Sequence, residues 1–205
     1  MHLELFLEEP SAEAFLHTLL PQLLPAGTTW NPIVFQGEFD LLAQLERRLK
    51  AYRSWMPAEW RLGVLIDEDR TDCLALKRRM EDAAAAAGFT TKSAARGERF
   101  VLLNRIAVEE LEAWFLGDPP ALARAYPGVP RSLGVQARYR DPDAIHGGTW
   151  EVLERVLQRA GYYSTGIAKI EIARNMAKHM NPAHNTSTSF RHFVQGLTAL
   201  CSHNA

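Results

Sequence analysis

The chain has 205 residues, an apolar fraction of 47% and a formal net charge of -1, all ordinary values for a globular protein. This length suffices for one large domain, or a core with an appendage, that buries a proper hydrophobic core. The near-neutral charge excludes a global basic field, so a nucleic acid would have to bind a local basic patch or a basic partner.

The cysteines and the first residues indicate the compartment. Cys73 and Cys201 have no metal-type spacing and form no disulfide framework, which suits a reducing compartment. The opening stretch 1–9 is acidic and too short to contain the apolar segment of a signal peptide. No apolar run is long enough to span a membrane. We therefore expect a soluble cytoplasmic protein without a membrane partner.

Strands and helices alternate through the first half of the chain, which predicts an α/β fold with right-handed crossovers and a mostly parallel central sheet flanked by helices. The periodicity predicts, in chain order, a strand at 2–7, a helix at 11–24 capped by Ser11, a strand at 33–35, a helix at 39–52, a strand ending at Asp67, a helix at 71–87, and strands at 89–91 and 99–106.

The second half is predicted to be helical. Helices are expected at 109–116, 121–126, 150–160, 166–180 and 189–201. The stretch 127–148 is rich in Pro, Gly and Arg and has no clear period, which indicates a functional or mobile loop. We therefore divide the chain into an α/β core at 1–118 and a helical C-terminal extension at 119–205, packed together as one compact unit.

The central strand ends in two acids. The apolar run 62–66 suits a strand that is covered on both faces, and it stops at Asp67. Ligands of open α/β sheets bind outside the carboxyl ends of the strands. Asp67 and Asp69 would point the same way on extended chain and can share one cation, for which carboxylates favour Mg²⁺ or Mn²⁺. The alternative is a solvated loop in which Asp69 or Thr71 caps the next helix.

Two further acidic groups follow other predicted elements. Glu8 and Glu9 end the first strand, where they can also simply favour the positive end of the following helix. Glu109 and Glu112 lie three residues apart on one face of the predicted helix and can approach a shared ion, whereas Glu110 would point away. The alternative for this second group is an exposed charged helix face.

The order of strand, Glu8, helix, strand, Asp67-x-Asp69 and a later acid resembles the TOPRIM domain, the metal-dependent fold of topoisomerases, primases and overcoming-lysogenization-defect (OLD) nucleases. The segments 7–16, 35–37, 65–70 and 110–118 are similar to the DUF4276 family, and the similarity extends to 185–193. It implies a TOPRIM-like fold in roughly the first half of the chain. It also implies a role beside a separate ATPase in bacterial anti-phage defence.

The resemblance assigns roles to particular residues. Glu8 matches the TOPRIM glutamate, which serves as general acid or base or as a metal contact, and Asp67 and Asp69 match the metal-binding pair. TOPRIM domains commonly have glycine after the glutamate, whereas this chain has Glu9. A register that uses Glu9 and Glu13 therefore stays open.

Later residues complete the predicted site. The resemblance places further acids at Glu110, Glu112 and Asp118, and among these only Glu112 also satisfies the helical spacing. Lys169 is a candidate cation for the transition-state phosphate, although it can equally be a solvated helix residue. The predicted metal ligands are Glu8, Asp67, Asp69 and Glu112, and the predicted catalytic residues are these four and Lys169.

Basic residues offer a track for a nucleic acid. Arg131, Arg138 and Arg140 lie in the loop at 127–148, beside tyrosines that can stack on bases. Arg70, next to the acid pair, can contact a phosphate or simply pair with a neighbouring acid. The alternative for the whole set is a solvated surface.

Three functional classes follow. The first is a Mg²⁺-dependent nuclease or phosphodiester hydrolase that works on nucleic acid with a partner ATPase, since the chain has no Walker-type phosphate loop of its own. The second is a non-catalytic TOPRIM-like binding or sensor module, and the third is a phosphohydrolase of small nucleotides. The amphipathic C-terminal helices leave the oligomeric state open.

Overall fold

A computed structural model describes residues 1–69, 71–145, 147–164, 166 and 168–202 of the protein. The strands are β1 (His2–Leu7), β2 (Thr29–Val34), β3 (Trp60–Asp67) and β4 (Leu102–Ala107). The helices are α1 (Pro10–Leu23), α2 (Glu38–Trp55), α3 (Cys73–Ala86), α4 (Leu111–Leu116), α5 (Pro119–Ala125), α6 (Thr149–Arg159), α7 (Lys169–His179) and α8 (Thr188–Ser202). None of the helices in these ranges has the length and apolar character of a membrane span.

The four strands form one parallel sheet in the order β2-β1-β3-β4. The chain leaves β1 through α1 toward β2, and it leaves β3 through α3 toward β4, on the opposite side of the sheet. Adjacent strands whose connections run in opposite directions define a topological switch point, where the departing helices leave a crevice at the carboxyl ends. Glu8 directly follows β1 and Asp67 ends β3, so both residues lie at this crevice.

Helices cover both faces of the sheet. One face carries α1 and the helices from α4 to α8, which pack on Leu3, Leu5, Leu7, Leu65 and Leu103. The other face carries α2 and α3, which pack on Phe6, Leu62, Val64, Ile66 and Leu102. Alternate residues of one strand thus reach two different cores, which explains why β3 is apolar at successive positions. The predicted α/β class with a parallel sheet flanked by helices is confirmed.

Some predicted boundaries are wrong. The stretch 89–91 is not a strand, since it forms only an isolated bridge from Thr91 to Leu102, while Phe89 is buried in the core against α2 and α3. Helix α1 begins at Pro10, because proline fits the first helical position, and not after Ser11. The N-cap of α3 is Asp72, whose carboxylate accepts a hydrogen bond from the Ala75 amide at 2.7 Å.

The loop at 127–148 contains three one-turn 3-10 helices, at Leu133–Val135, Ala137–Tyr139 and Pro142–Ala144. Asp143 fastens the last of them to the start of α8. Its carboxylate accepts hydrogen bonds from the Ser187 hydroxyl at 2.7 Å and the Ser189 amide at 2.8 Å.

The segments 110–118 and 185–193, both similar to DUF4276, pack against each other. The Trp114 indole donates to the Ser189 hydroxyl at 2.8 Å, and the buried Asn185 amide donates to the Trp114 carbonyl at 2.7 Å. Gly117 lies so close that a Cβ there would be 2.4 Å from the Asn185 Oδ1. Asp118 is also structural: its buried carboxylate accepts from the Ala121 and Asn181 amides at 3.0 and 2.9 Å.

Replacing Asn185 by alanine should lower the free energy of unfolding by about 2–4 kcal/mol, because it leaves the Trp114 carbonyl and the Ser187 amide unpaired in the core. Urea denaturation measures this loss. Thr198→Ala, on the exposed side of α8, is the control and should cost less than about 0.5 kcal/mol. Equal losses for the two variants would contradict a structural role for Asn185.

Candidate functional site

The carboxylate of Glu8 joins three elements at the crevice. Its Oε2 accepts a hydrogen bond from the Asp67 amide at 2.8 Å, at the end of β3. Its Oε1 accepts from the Glu38 amide at 3.1 Å, in the first turn of α2. Gly37 makes this approach possible, since it has φ +94° and its amide donates to the Glu8 carbonyl at 3.0 Å. Only 7% of Glu8 is exposed, so its carboxylate is held in place by protein groups.

Asp67 is buried beside Glu8 and connects the sheet to α4. Its Oδ2 accepts a hydrogen bond from the Leu111 amide at 3.2 Å, at the helix N-terminus. An anion is favoured at this end of a helix because unpaired amides and the helix dipole point toward it. The β1, β3 and α4 termini therefore meet at two carboxylates.

Asp69 does not continue the strand. It has a φ of 48° and is exposed, and its amide donates to the Glu109 carbonyl at 2.8 Å. The predicted extended geometry, in which Asp67 and Asp69 point the same way, is therefore wrong. Asp69 nevertheless lies near enough for its charge to raise the pKa of Glu8, after the larger effect of burial.

The acids before α4 are arranged differently from the prediction. Glu109 has a φ of 63° and precedes the helix, so it does not share a helical face with Glu112. The Glu110 carboxylate accepts from the Thr149 hydroxyl at 2.9 Å and the Trp150 amide at 2.7 Å, which satisfies the N-terminus of α6. Glu112 is 1% exposed, and its Oε2 has no hydrogen-bond partner among the described residues.

Lys169, the first residue of α7, reaches the same site from the C-terminal half. Its Nζ lies 3.9 Å from the Glu9 Oε2 and 4.7 Å from the centre of the Trp150 ring. Burial disfavours the charged ammonium, but the carboxylates of Glu112 and Glu9 outweigh this effect and raise the pKa of Lys169. The lysine is therefore a fixed cation beside the buried acids.

The surroundings of the buried acids do not fully stabilise their charged forms, so their pKa values are raised. Burial raises the pKa of Glu8 to about 7, although the hydrogen bond from the Asp67 amide opposes the rise. Burial also raises the pKa of Glu112 to about 7, against the opposing charge of Lys169. Burial, followed by repulsion from Glu9 and Glu112, raises the pKa of Asp67 well above its usual range.

An open cleft of about 750 Å³ lies beside these residues. Its described lining is mostly acidic and consists of Glu38, Asp69, Thr71, Glu109, Glu110, Gly147, Gly148 and Glu151. Glu38 and Glu110 also connect the cleft to the buried acids, Glu38 through its bond to Glu8 and Glu110 as the residue preceding α4. Solvent thus reaches the edge of the site through an acid-lined opening.

Glu38 and Glu151 line this cleft although they were not among the predicted site residues. Glu38 follows Gly37 directly, so the family-like segment 35–37 offered a signal for it. Glu151 lies in the first turn of α6, and only the packing of α6 against α4 brings it to the cleft.

The described arginines that were predicted to contact a nucleic acid lie outside the described lining of this cleft. The Arg138 guanidinium lies 4.6 Å from the centre of the Tyr139 ring, and the Arg140 Nε donates to the Val135 carbonyl at 3.3 Å. Arg131 is exposed, and none of these three arginines belongs to the described lining of the cleft. Arg70 lies outside the described residues.

Glu9 and Glu13, the two acids of the alternative register, lie in different places. Glu9 pairs with Lys169, and its Oε1 accepts a hydrogen bond from the Ser11 hydroxyl. Glu13 lines a different, smaller cavity between α1 and α7, of about 370 Å³. Glu8 is the acid of this segment that bonds the end of β3.

The oxygen donors at this site suit the predicted metal in part. Within the described ranges, no three His, Cys, Asp or Glu side chains form a ready cluster that could hold an ion. Two observations nevertheless fit a divalent cation: the buried Glu112 Oε2 lacks a partner, and the pKa values of Glu8, Asp67 and Glu112 are all raised. The donors are carboxylate oxygens, which suit Mg²⁺ or Mn²⁺.

Without divalent cations, the free energy of unfolding should fall as the pH rises from 5 to 8. An acid whose pKa rises from 4.5 to about 7 on folding binds more protons in the folded state between these values, so its ionisation destabilises the fold. For Glu112 this effect is roughly 3 kcal/mol. Urea denaturation of Glu112→Gln should therefore show a flatter pH dependence than the wild type. Parallel curves for the two proteins would be inconsistent with a buried, raised Glu112.

Sequence comparison places the chain in a family. Residues 7–198 match a family model described as Domain of unknown function (DUF4276). This range includes Glu8, Asp67, Glu112 and Lys169, and it extends over both cores. No curated protein and no solved structure matches the chain. Since the family model spans nearly the whole sequence, the chain belongs to the DUF4276 family.

Proposed function

We propose that this protein is a divalent-cation-dependent phosphodiester hydrolase, a TOPRIM-like nuclease. The observation that carries the proposal is the convergence of three buried carboxylates, Glu8, Asp67 and Glu112, at the carboxyl edge of a parallel sheet. Burying like charges together is costly unless a cation or protons compensate them. Perturbed acids of this kind cluster at functional sites.

The compensating cation is proposed to be Mg²⁺ or Mn²⁺. Asp67 and Glu112 would hold it most directly, because both are buried and the Glu112 Oε2 has no hydrogen-bond partner in the described part of the chain. Glu8 and Asp69 are the further candidate ligands, one buried and one at the edge of the open cleft. When bound, the ion supplies Lewis-acid polarisation of a phosphodiester and activation of water.

The surrounding residues have separate tasks in the proposed reaction. Glu8, with a pKa of about 7, can hold or release a proton at neutral pH, which suits a general acid or base. Lys169 is held against Trp150 and Glu9, so its ammonium can offset charge that develops on a phosphate without first being reoriented. The acidic cleft provides access for the substrate and water.

The TOPRIM and OLD-nuclease relation is part of this proposal. It is supported by the order of the acids along the chain and by the position of Glu8 and Asp67 at adjacent strand ends. We further propose that the substrate is a nucleic acid, that the protein acts in the cytoplasm, and that a separate ATPase partner participates in anti-phage defence. The nucleic acid and the ATPase partner rest on the family resemblance, and the cytoplasmic location rests on the two cysteines, which form no disulfide framework, and on the acidic stretch 1–9.

The second candidate is a non-catalytic binding or sensor module. It is favoured by Glu9, which stands where TOPRIM domains commonly have glycine and which occupies Lys169 in an ion pair. A lysine already paired with an acid is less available to a phosphate. Activity measurements separate the two candidates.

The purified protein should hydrolyse at least one of four substrates in the presence of Mg²⁺ or Mn²⁺: plasmid DNA, single-stranded DNA, RNA or nucleotides. Asp67→Asn should reduce the rate on the order of 100-fold or more, because it removes a buried charged ligand while keeping the side-chain shape. Asp82→Asn, on the exposed face of α3, is the matched control and should retain full activity.

Undiminished activity in Asp67→Asn would reject the proposed site. Absence of hydrolysis by the wild type on all four substrates, also with a cognate ATPase, would favour the binding module.

A further inference from the structure

One phenylalanine packs into neither of the two hydrophobic cores. The chain has nine phenylalanines, and eight of them are buried, with at most 5% of each exposed. Phe39 is 85% exposed. Helix α2 buries Leu41, Leu45 and Leu49, whereas Phe39 lies on the flank of the helix, outside this buried stripe. Packing of the fold therefore gives no reason for an aromatic ring at this position.

The position of Phe39 is fixed relative to the proposed active site. It is the second residue of α2 and follows Glu38, whose amide donates to the Glu8 carboxylate and whose side chain lines the cleft. The Gly37 amide also bonds the Glu8 carbonyl, so the first turn of α2 is fastened to the end of β1 at two points. Phe39 thus follows a cleft-lining residue, on a helix whose first turn is fastened to the end of β1.

Other exposed apolar side chains lie at the same edge of the sheet. Leu74 is 67% exposed in the first turn of α3, which follows β3, and Ile170 follows Lys169 in the first turn of α7. Single exposed apolar residues are common on protein surfaces. Leu74 and Ile170 line two other cavities, whereas Phe39 directly follows Glu38, a residue of the described lining of the acidic cleft.

The charge of the cleft restricts what can bind there. Among the residues that the structure describes, five carboxylates line it, from Glu38, Asp69, Glu109, Glu110 and Glu151. A continuous run of phosphates along this lining would be repelled, whereas one reacting phosphate can be accommodated by a cation at the buried acids. Binding energy beyond that phosphate then has to come from uncharged contacts, and a base stacked on an aromatic ring supplies such contacts.

We infer that Phe39 is a stacking platform for an unpaired base next to the reacting phosphate, so that the site takes single-stranded nucleic-acid ends in preference to continuous duplex. This inference rests on the proposed hydrolase function and adds the substrate class and a positioning residue to it. Within a continuous duplex, the neighbouring base pairs cover the base faces, so the ring cannot stack on them.

The test compares Phe39 with a second exposed aromatic residue of the same helix. Trp55 is the last residue of α2 and lies about 24 Å along the helix axis from Phe39. Binding of short single-stranded DNA and RNA oligonucleotides, and of blunt duplexes of the same sequence, is measured by fluorescence anisotropy with Ca²⁺ in place of Mg²⁺. Thermal melting verifies that Phe39→Ala, Phe39→Trp and Trp55→Ala remain folded.

Phe39→Ala should weaken binding of at least one single-stranded probe about tenfold, whereas Phe39→Trp and Trp55→Ala should leave it unchanged. Blunt duplexes should bind more weakly and without dependence on Phe39. In turnover with Mg²⁺, Phe39→Ala should raise KM and leave kcat nearly unchanged.

Equal binding by Phe39→Ala and Trp55→Ala, or equal binding of single strands and duplexes, would overturn the inference even if the wild type hydrolyses nucleic acid. Conversely, Phe39-dependent binding of single strands in a protein that hydrolyses no substrate would support the stacking role and reject the hydrolase. The two failures are therefore distinguishable.

Discussion

The hydrogen bonds accepted by the Glu8 carboxylate fix the geometry on which the proposed site depends. One comes from the Asp67 amide and the other from the Glu38 amide, so a single side chain ties β1 to β3 and to α2. Asp67 in turn accepts from the Leu111 amide, which sets the start of α4 and places Glu112 beneath the crevice. Glu8 and Asp67 are thus structural acceptors and candidate ligands at once, although these hydrogen bonds do not offset the cost of burying their charge.

The C-terminal helices complete the site by supplying Lys169. Helix α7 packs along α1 and places the Lys169 ammonium beside Glu9, while the start of α6 brings Trp150 under the same ammonium. The α/β part alone would leave the buried acids without this cation. The long family-like segments around 110–118 and 185–193 mainly hold these helices together, through Trp114, Asn185 and their neighbours.

Features that depend on local sequence could be predicted. The apolar run before Asp67 specified a strand covered on both faces, and the acids at two strand ends specified the edge where they meet. Features that depend on distant contacts could not. The chain turns at Glu109, so α4 begins two residues later than predicted, and the Glu110 carboxylate instead accepts hydrogen bonds from the N-terminus of α6. Asp69 leaves the extended conformation because its amide bonds Glu109, and the Glu9–Lys169 pair requires α7 to dock on α1.

The central claim is that the buried acids hold a divalent cation. A crystal structure of the wild type soaked with Mn²⁺ tests it most directly, because anomalous scattering locates the ion independently of activity. An ion bonded at about 2.1 Å by carboxylate oxygens of Asp67 and Glu112 is the predicted result. Well-ordered Asp67 and Glu112 with no ion between them at saturating Mn²⁺ and pH 8 would contradict the claim.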